Sequence, residues 1–143
     1  MLRVIGIIIL GASTLAGPAL AETLDVQMLN RGEAGLMVFE PDFLRIAKGD
    51  TVKFIATDPG HNAESIPEMM PGEAESFKGK INEEIEVTFD VDGLYGVKCL
   101  PHYAMGMAMT IAVGNVNEGP QDYLKGRIPP RALKRFEEQL SNL

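Results

Sequence analysis

Cysteine, histidine and tryptophan are the scarcest residues of this chain. Its 143 residues include one cysteine, two histidines and no tryptophan. A single cysteine, Cys99, excludes a disulfide within the chain and leaves three roles for that side chain: a buried apolar residue, a reactive thiol or a metal ligand. The hydrophobic core, together with any bound metal, must therefore stabilise the fold.

Positive charge is also in short supply. The chain has 13 lysines and arginines against 20 aspartates and glutamates, which gives a formal net charge of −7. Proteins that bind nucleic acid need a basic surface to meet the phosphates. The charge balance therefore argues against a nucleic-acid partner.

Long apolar runs are missing except at the N-terminus. A short positive start, Met1-Leu2-Arg3, precedes the apolar run from Val4 to Leu10, and Ala19-Leu20-Ala21 supplies the small residues of a cleavage site. The run is too short to span a bilayer, and no stop-transfer pattern follows it. We predict that residues 1–21 are a cleaved signal peptide, that the chain is exported and that it does not insert in a membrane.

Residues 22–143 are enough for one domain with a single core. Their dominant pattern is a series of short strands with alternating apolar residues, such as Ile85, Val87 and Phe89. Such strands at this spacing predict an all-β sandwich or barrel. The Asp92-Gly93 turn signal predicts that the strand ending near Phe89 pairs, hairpin-like, with the strand from Leu94 to Cys99.

The C-terminal segment changes from strand to helix periodicity. Residues 120–125 fit one or two helical turns, and Pro129-Pro130 opens a helix with apolar residues at helical spacing, Leu133, Phe136, Leu140 and Leu143. The predicted polar face mixes both charge signs in Arg131, Lys134, Arg135, Glu137 and Glu138. Because the charges are mixed, we expect this helix to pack on the outside of the sandwich rather than on a membrane.

The rare residues form one pattern, His61…Cys99-x2-His102-x4-Met107. A thiolate, two imidazoles and a long axial thioether are the ligand set of blue-copper electron-transfer sites. Zinc usually avoids thioether and more often collects further cysteines. One loop would deliver Cys99, His102 and Met107, and His61 would approach from a second, turn-rich loop.

Other assignments remain open from the residues alone. Met105, on the loop, and Met109, deeper in the following strand, are rivals of Met107 for the axial position. The run Met105, Met107, Met109 also suits a copper carrier with exchangeable thioethers. A zinc or copper enzyme is the third possibility, although four protein ligands would leave no open metal position for a substrate.

Several segments resemble the small type 1 copper proteins, the cupredoxins, and in particular their pseudoazurin branch. They are Met37-Val38-Phe39-Glu40-Pro41, Gly60 to Ile66, and Cys99 to Met107. The resemblance covers nearly all of residues 22–143, including the C-terminal helices about 120–143. It implies a Greek-key β-sandwich that binds one copper ion per chain through His61, Cys99, His102 and Met107.

The resemblance also implies roles for neighbouring residues. Asn62 would tie the two ligand loops together and donate its backbone N–H to the thiolate, and Met37 would touch the imidazole of His102. Pro101 has no N–H to donate, so it would leave the sulfur with fewer hydrogen bonds, which is a means of tuning the reduction potential.

The function implied by the resemblance is electron transfer, not catalysis. Relatives of this kind donate electrons to copper nitrite reductase in the periplasm of denitrifying bacteria. We therefore expect a periplasmic monomer that meets its redox partner transiently around His102. The basic residues expected to surround that contact are Lys78, Lys80, Lys98 and Arg31, and Pro59 stands where relatives often carry a lysine.

Overall fold

The computed structural model describes residue 17 and residues 19–143, so most of the predicted signal segment 1–21 lies outside the described residues. Two four-stranded sheets pack face to face, which confirms the predicted all-β sandwich. Within the described part of the chain, no helix combines the length and apolar character that crossing a membrane requires.

The first sheet contains four strands, β1 (Thr23–Gly32), β2 (Gly35–Glu40), β4 (Thr51–Ile55) and β6 (Ile85–Thr88). Their order across the sheet is β2-β1-β4-β6, and β1 and β4 run parallel. The second sheet contains β3 (Phe43–Ile46), β5 (Glu64–Ser65), β7 (Gly93–Lys98) and β8 (Ala108–Val113) in the order β3-β8-β7-β5, with β3 and β8 parallel.

The main core lies between the two sheets. Alternate residues of the first sheet, such as Val26 and Phe54, meet alternate residues of the second, such as Val97 and Ile111, and all four are fully buried. Cys99 belongs to the same buried cluster. Cys99 of the predicted site therefore lies in the core, not at the protein surface.

The predicted hairpin between the strands flanking Asp92-Gly93 is wrong. β6 pairs with β4 in the first sheet, whereas β7 pairs with β8 and β5 in the second. The segment between them crosses from sheet to sheet, and the rings of Phe89 and Tyr95 meet edge to face across the core, with centroids 4.9 Å apart. Alternation identifies the buried face of each strand, but two strands with inward apolar faces satisfy it equally well in one sheet or in two.

One α-helix, α1 (Pro130–Leu140), covers the outer face of the second sheet. Its Ala132 and Phe136 are fully buried in a second cluster with Leu94 and Ala112 of the sheet. The expected packing on the outside of the sandwich is thus confirmed, and β8 is buried on both faces. Residues 120–125 form hydrogen-bonded turns rather than a helix.

The inner face of α1 is more polar than the apolar spacing predicts. Gln139, only 2% exposed, donates to the carbonyl of Ala108 at 3.0 Å and accepts a hydrogen bond from Thr110 Oγ1 at 2.9 Å. Arg135, assigned to the exposed polar face from the sequence, is half-buried and donates to backbone carbonyls. Long amphipathic side chains can pack their stems inward, and helical periodicity alone does not reveal this.

Candidate metal centre

The loop between β7 and β8 brings three predicted ligands to one end of the sandwich. Cys99 follows β7 directly, and a 3-10 helix, Leu100–Met105, turns the chain back toward β8. The backbone N–H of Cys99 donates to the carbonyl of Met107 at 3.0 Å, and that of Met107 donates to the carbonyl of His102 at 3.1 Å. Gly106, with φ of +97°, ends the 3-10 helix in the left-handed region, which glycine adopts readily.

His61 reaches the same place from the connection between β4 and β5. It is fully buried, and its carbonyl accepts a hydrogen bond from the backbone N–H of Asn82 at 2.8 Å. Asn82 Oδ1 in turn accepts from the backbone N–H of Gly60 at 2.6 Å. Asn82, which no sequence motif marks, thus holds the histidine loop through two hydrogen bonds, one to Gly60 and one to His61.

Three potential donor atoms converge at this end of the core. His61 Nδ1 and His102 Nδ1 are 3.1 Å apart, and Cys99 Sγ lies 3.7 Å from the first and 3.5 Å from the second. An ion about 2.0 Å from each nitrogen and about 2.3 Å from the sulfur, the usual distances for zinc, fits a triangle of this size. The three residues therefore form a compact nitrogen–sulfur–nitrogen site, as the sequence pattern predicted.

Hydrogen bonding selects the ring nitrogen of His61 that faces this site. Its Nε2 lies 2.8 Å from Asn30 Oδ1, which can only accept, so Nε2 carries the proton and Nδ1 keeps a free lone pair. Asn30 is itself held by Asp58, whose Oδ2 accepts the Asn30 backbone N–H at 2.7 Å. The role of Asn30 has no local signal in the sequence, since nothing marks one asparagine in a strand as the partner of a histidine 31 residues away.

Electrostatics also favour a neutral His61. Burial, reinforced by the nearby His102, lowers the pKa of His61, and Asp58 opposes that shift only in part. A neutral imidazole is the form that binds a metal.

The side chain of Asn62 joins the two ligand loops. Its Oδ1 accepts the backbone N–H of Leu100 at 2.7 Å, while its Nδ2 donates to Glu64 Oε2 and to the Gly79 carbonyl, both at 3.0 Å. This is the cross-link between loops that the resemblance implied for Asn62. Glu64, 6% exposed, adds a buried carboxylate to the network.

The Cys99 thiol lies in a dry environment. Burial raises its pKa, and the backbone N–H groups of Asn62 and His102 oppose the shift. The N–H bond from Asn62 to the sulfur stays a prediction, and the backbone N–H of His102 donates to the Cys99 carbonyl at 3.2 Å. The tuning effect assigned to Pro101 stays a prediction.

The three methionines near the loop differ in exposure. Met107 and Met109 are fully buried in the main core, whereas Met105 is 37% exposed. Met109 lies on β8 opposite Val97, two residues further from the loop than Met107. Burial therefore separates Met105 from the other two, and position along the chain favours Met107 over Met109 as an axial donor.

Exposed apolar side chains accompany His102 in the ligand loop. His102 is half-buried, Leu100 and Met105 are exposed on the same 3-10 helix, and the exposed Leu36 lines a surface pocket with Met105. Lys98, one of the predicted basic residues, is not a free charge: its Nζ lies 3.5 Å from Glu64 Oε1 and 5.4 Å from the centre of the Tyr103 ring. Lys78 is more exposed and lies 4.0 Å from the same carboxylate.

The donor set fits copper. A buried cysteine sulfur and two imidazole nitrogens form the triangle, and a thioether-bearing residue, Met107, is joined by backbone hydrogen bonds to Cys99 and His102. Soft sulfur donors combined with imidazoles suit copper, and the further cysteines that a structural zinc site usually has are absent from the sequence.

Comparison with known proteins agrees with this chemistry. Residues 26–114 match the model of the family described as copper binding proteins, plastocyanin/azurin family. A pseudoazurin of Paracoccus pantotrophus is 45% identical over 90% of this chain and 89% of its own length. A putative pseudoazurin of Rhizobium leguminosarum is 41% identical over 96% of this chain and 92% of its own length.

Solved structures give the same result for the fold. The crystal structure of pseudoazurin from Methylobacterium extorquens AM1 superimposes with a TM-score of 0.79 at 38% identity, covering 84% of this chain and 98% of that one. The match extends over nearly the whole of that protein. The cupredoxin-type Greek-key sandwich expected from the sequence is thereby confirmed.

The role of Asn30 can be tested by removing its side-chain oxygen. We expect Asn30→Ala to weaken copper binding roughly 10- to 100-fold, because His61 Nε2 loses the acceptor that sets its tautomer. A competition titration against a chelator of known affinity measures the change. Asn30→Asp, which keeps an oxygen at this position, should stay close to the parent protein; an equal loss in both variants would contradict the assignment.

Proposed function

The chain belongs to the pseudoazurin branch of the plastocyanin/azurin family of copper-binding proteins, and from this we propose that it is an electron-transfer protein that cycles one copper ion between Cu(I) and Cu(II). The proposed ligands are His61, Cys99, His102 and Met107. The observation that carries the proposal is the buried triangle of His61 Nδ1, Cys99 Sγ and His102 Nδ1. With Met107 as the weak axial ligand, it matches the ligand set of a type 1 site.

The scaffold suits an electron carrier. Both ligand loops are fastened to each other by Asn62 and to the sheets by backbone hydrogen bonds, so the donor atoms are held in place before the metal binds. Fixed ligands limit the rearrangement that accompanies a change of copper oxidation state, and this favours fast electron transfer. Four protein ligands leave no position open for a substrate, so we propose no catalytic role.

A copper carrier is the less favoured alternative. Carriers need thioethers that solvent and partners can reach, whereas Met107 and Met109 are fully buried and only Met105 is partly exposed. The same burial favours a resident ion that remains bound through many cycles.

The proposed path for the electron is the imidazole of His102. This ring is half-buried and lies on the same 3-10 helix as the exposed Leu100 and Met105, and the exposed Leu36 lines a surface pocket together with Met105. A small apolar contact of this kind is typical of transient redox encounters, which bury less area than stable complexes. We propose copper nitrite reductase as the partner and a monomer as the functional state. Met37, which is half-buried against the core, is proposed to touch the His102 ring.

The proposal includes export to the periplasm, with residues 1–21 removed and residues 22–143 forming the mature copper domain. Its support is that Glu22 is already hydrogen bonded to the fold. Its backbone N–H donates to Asp50 Oδ1 at 2.9 Å, and its carbonyl accepts the Thr51 N–H at 2.8 Å. Cleavage after Ala21 would place a new ammonium group beside the buried Asp50 carboxylate.

The copper assignment is tested by the spectrum of the Cu(II)-loaded protein. We expect intense visible absorption from thiolate-to-copper charge transfer and the narrow copper hyperfine splitting of a type 1 site in electron paramagnetic resonance. Cys99→Ser should lose both, because a hydroxyl cannot replace the thiolate as electron donor. A parent protein without the visible band would overturn the proposal.

The axial ligand is tested by two matched substitutions that nearly conserve volume. Met107→Leu should change the visible spectrum and the reduction potential, because the axial donor tunes a type 1 site. Met105→Leu should leave both unchanged, since Met105 lies at the surface. If Met105→Leu changes the visible spectrum and the reduction potential while Met107→Leu leaves both unchanged, the axial ligand is Met105.

The basic residues near His102 are tested by reversing one charge. Lys78→Glu should slow electron transfer to copper nitrite reductase several-fold at low ionic strength, where the screening length is about 30 Å, and much less at physiological salt, where it is about 8 Å. Lys78 is a cleaner probe than Lys98, because the Lys78 side chain is 70% exposed and its ammonium is 4.0 Å from Glu64, whereas the Lys98 side chain is 22% exposed and its ammonium lies closer to Glu64 and near the Tyr103 ring.

Lys48→Glu is the matched control. It makes the same charge change in the turn after β3, at the end of the sandwich away from His102. Stopped-flow rates over a range of salt concentrations compare the two variants. Equal salt dependence for Lys78→Glu and Lys48→Glu would show that overall charge alone governs the encounter, contrary to local steering.

A further inference from the structure

One arginine of the C-terminal helix is directed at the backbone of the copper-site end rather than at solvent. Arg135 Nη1 donates to the carbonyls of Met37 and Gly106, each at 2.7 Å, and Nη2 donates to the carbonyl of Leu36 at 2.7 Å. One planar guanidinium thus joins α1 to two separate segments, the start of β2 and the ligand loop. Hydrogen bonds from a charged donor are among the strong ones, and the fork geometry makes them directional.

The Gly106 carbonyl belongs to the peptide unit that leads into Met107. The N–H of the same unit, contributed by Met107, donates to the carbonyl of His102 at 3.1 Å. One peptide plane is therefore held at both polar groups, by Arg135 on one side and by the backbone of a proposed ligand on the other. Because a peptide unit is planar, fixing both groups fixes the direction in which the Met107 Cα continues.

The other two carbonyls flank a residue in an unusual conformation. Met37 has φ of +52°, in the left-handed region that residues with a side chain rarely adopt. The carbonyls before and after it, those of Leu36 and Met37, both accept from Arg135. Such a backbone conformation persists when its surroundings hold it, and here the guanidinium supplies part of that hold.

The helix and the ligand loop are also in direct contact. A side chain at Gly106 would place its Cβ 3.2 Å from the carbonyl oxygen of Arg131, one turn before Arg135 on α1. Any displacement of α1 therefore acts on the loop just before Met107.

We propose that Arg135 is a positioning residue for the copper site. By clamping the peptide unit between Gly106 and Met107, it sets how closely the Met107 thioether approaches the metal, and through Leu36 and Met37 it holds the neighbouring segment in register. The inference rests on the proposed function, since it takes Met107 as the axial ligand. It gives the C-terminal helix a role in tuning the site beyond covering the second sheet.

The test compares variants that separate the forked hydrogen bonding of the Arg135 guanidinium from its positive charge. Arg135→Gln removes both, Arg135→Lys keeps the charge and loses the fork, and Arg131→Gln removes the same charge from an exposed position one turn away. In the Cu(II) proteins, a thioether that moves away from the metal should weaken the shorter-wavelength thiolate band relative to the longer one. The electron paramagnetic resonance spectrum should become more axial at the same time.

We expect Arg135→Gln and Arg135→Lys to show this change and Arg131→Gln to keep the parent spectrum. In the metal-free proteins, amide hydrogen exchange at Met107 should accelerate in both Arg135 variants but not in Arg131→Gln. If Arg135→Gln does not fold, Arg135→Lys carries the test. Parent spectra and parent exchange rates in a folded Arg135 variant would overturn the clamp.

Failure of the positioning role of Arg135 can be distinguished from failure of the proposed copper site. A parent protein without the thiolate-to-copper band would refute the type 1 site itself. A parent protein with that band, together with an Arg135 variant of identical band ratio and identical Met107 exchange, would refute only the positioning role. Parent behaviour in Arg135→Lys alone would mean that charge, not the fork, is what matters, and this too would overturn the clamp as stated.

Discussion

The structure depends on bringing two imidazole nitrogens and one cysteine sulfur within 3.1 to 3.7 Å of one another at one end of the core. His61 and Cys99 are fully buried, and the two ring nitrogens lie only 3.1 Å apart. In that environment the lone pairs repel each other unless a cation or a proton lies between them, and burial raises the pKa of the Cys99 thiol. A bound metal ion would relieve both the repulsion between the lone pairs and the unfavourable burial of the sulfur. The rest of the fold must therefore keep the donor atoms close together until the metal binds.

Hydrogen bonds from residues around the site keep the donor atoms in place. Asn30 sets the tautomer of His61, Asn82 fixes the backbone on both sides of it, and Asn62 fastens the histidine loop to the cysteine loop. All three are asparagines, whose short side chains offer an acceptor and, in Asn62, a donor in a single rigid group. The helix completes the arrangement through Arg135, which acts on the peptide unit before Met107.

Sequence patterns predicted the features that depend on residues close together in the chain. The strand alternation, the helical spacing after Pro129 and the rare His…Cys-x2-His-x4-Met sequence each record a property of neighbouring residues. Pairing between strands is not local. The Asp92-Gly93 turn looks the same whether the chain folds back in one sheet or crosses to the other, and only the packing of Phe89 against Tyr95 across the core distinguishes the two. For the same reason the sequence places Arg135 on the exposed face of the helix. Its actual partners are backbone carbonyls 29 to 99 residues away along the chain, and only the folded structure shows them.

The sequence by itself determined the ligand types, their order and their spacing, because these follow from which side chains are present and how far one loop can reach. It also predicted a β-sandwich with a terminal helix, because periodicity reports which faces become buried. Tertiary structure decided that Nδ1 rather than Nε2 of His61 faces Cys99 and His102, that Met107 is buried while Met105 is exposed, and that the guanidinium of Arg135 reaches the ligand loop. These choices depend on contacts between distant segments, and the free energy that selects them arises only when both sheets and the helix are packed together.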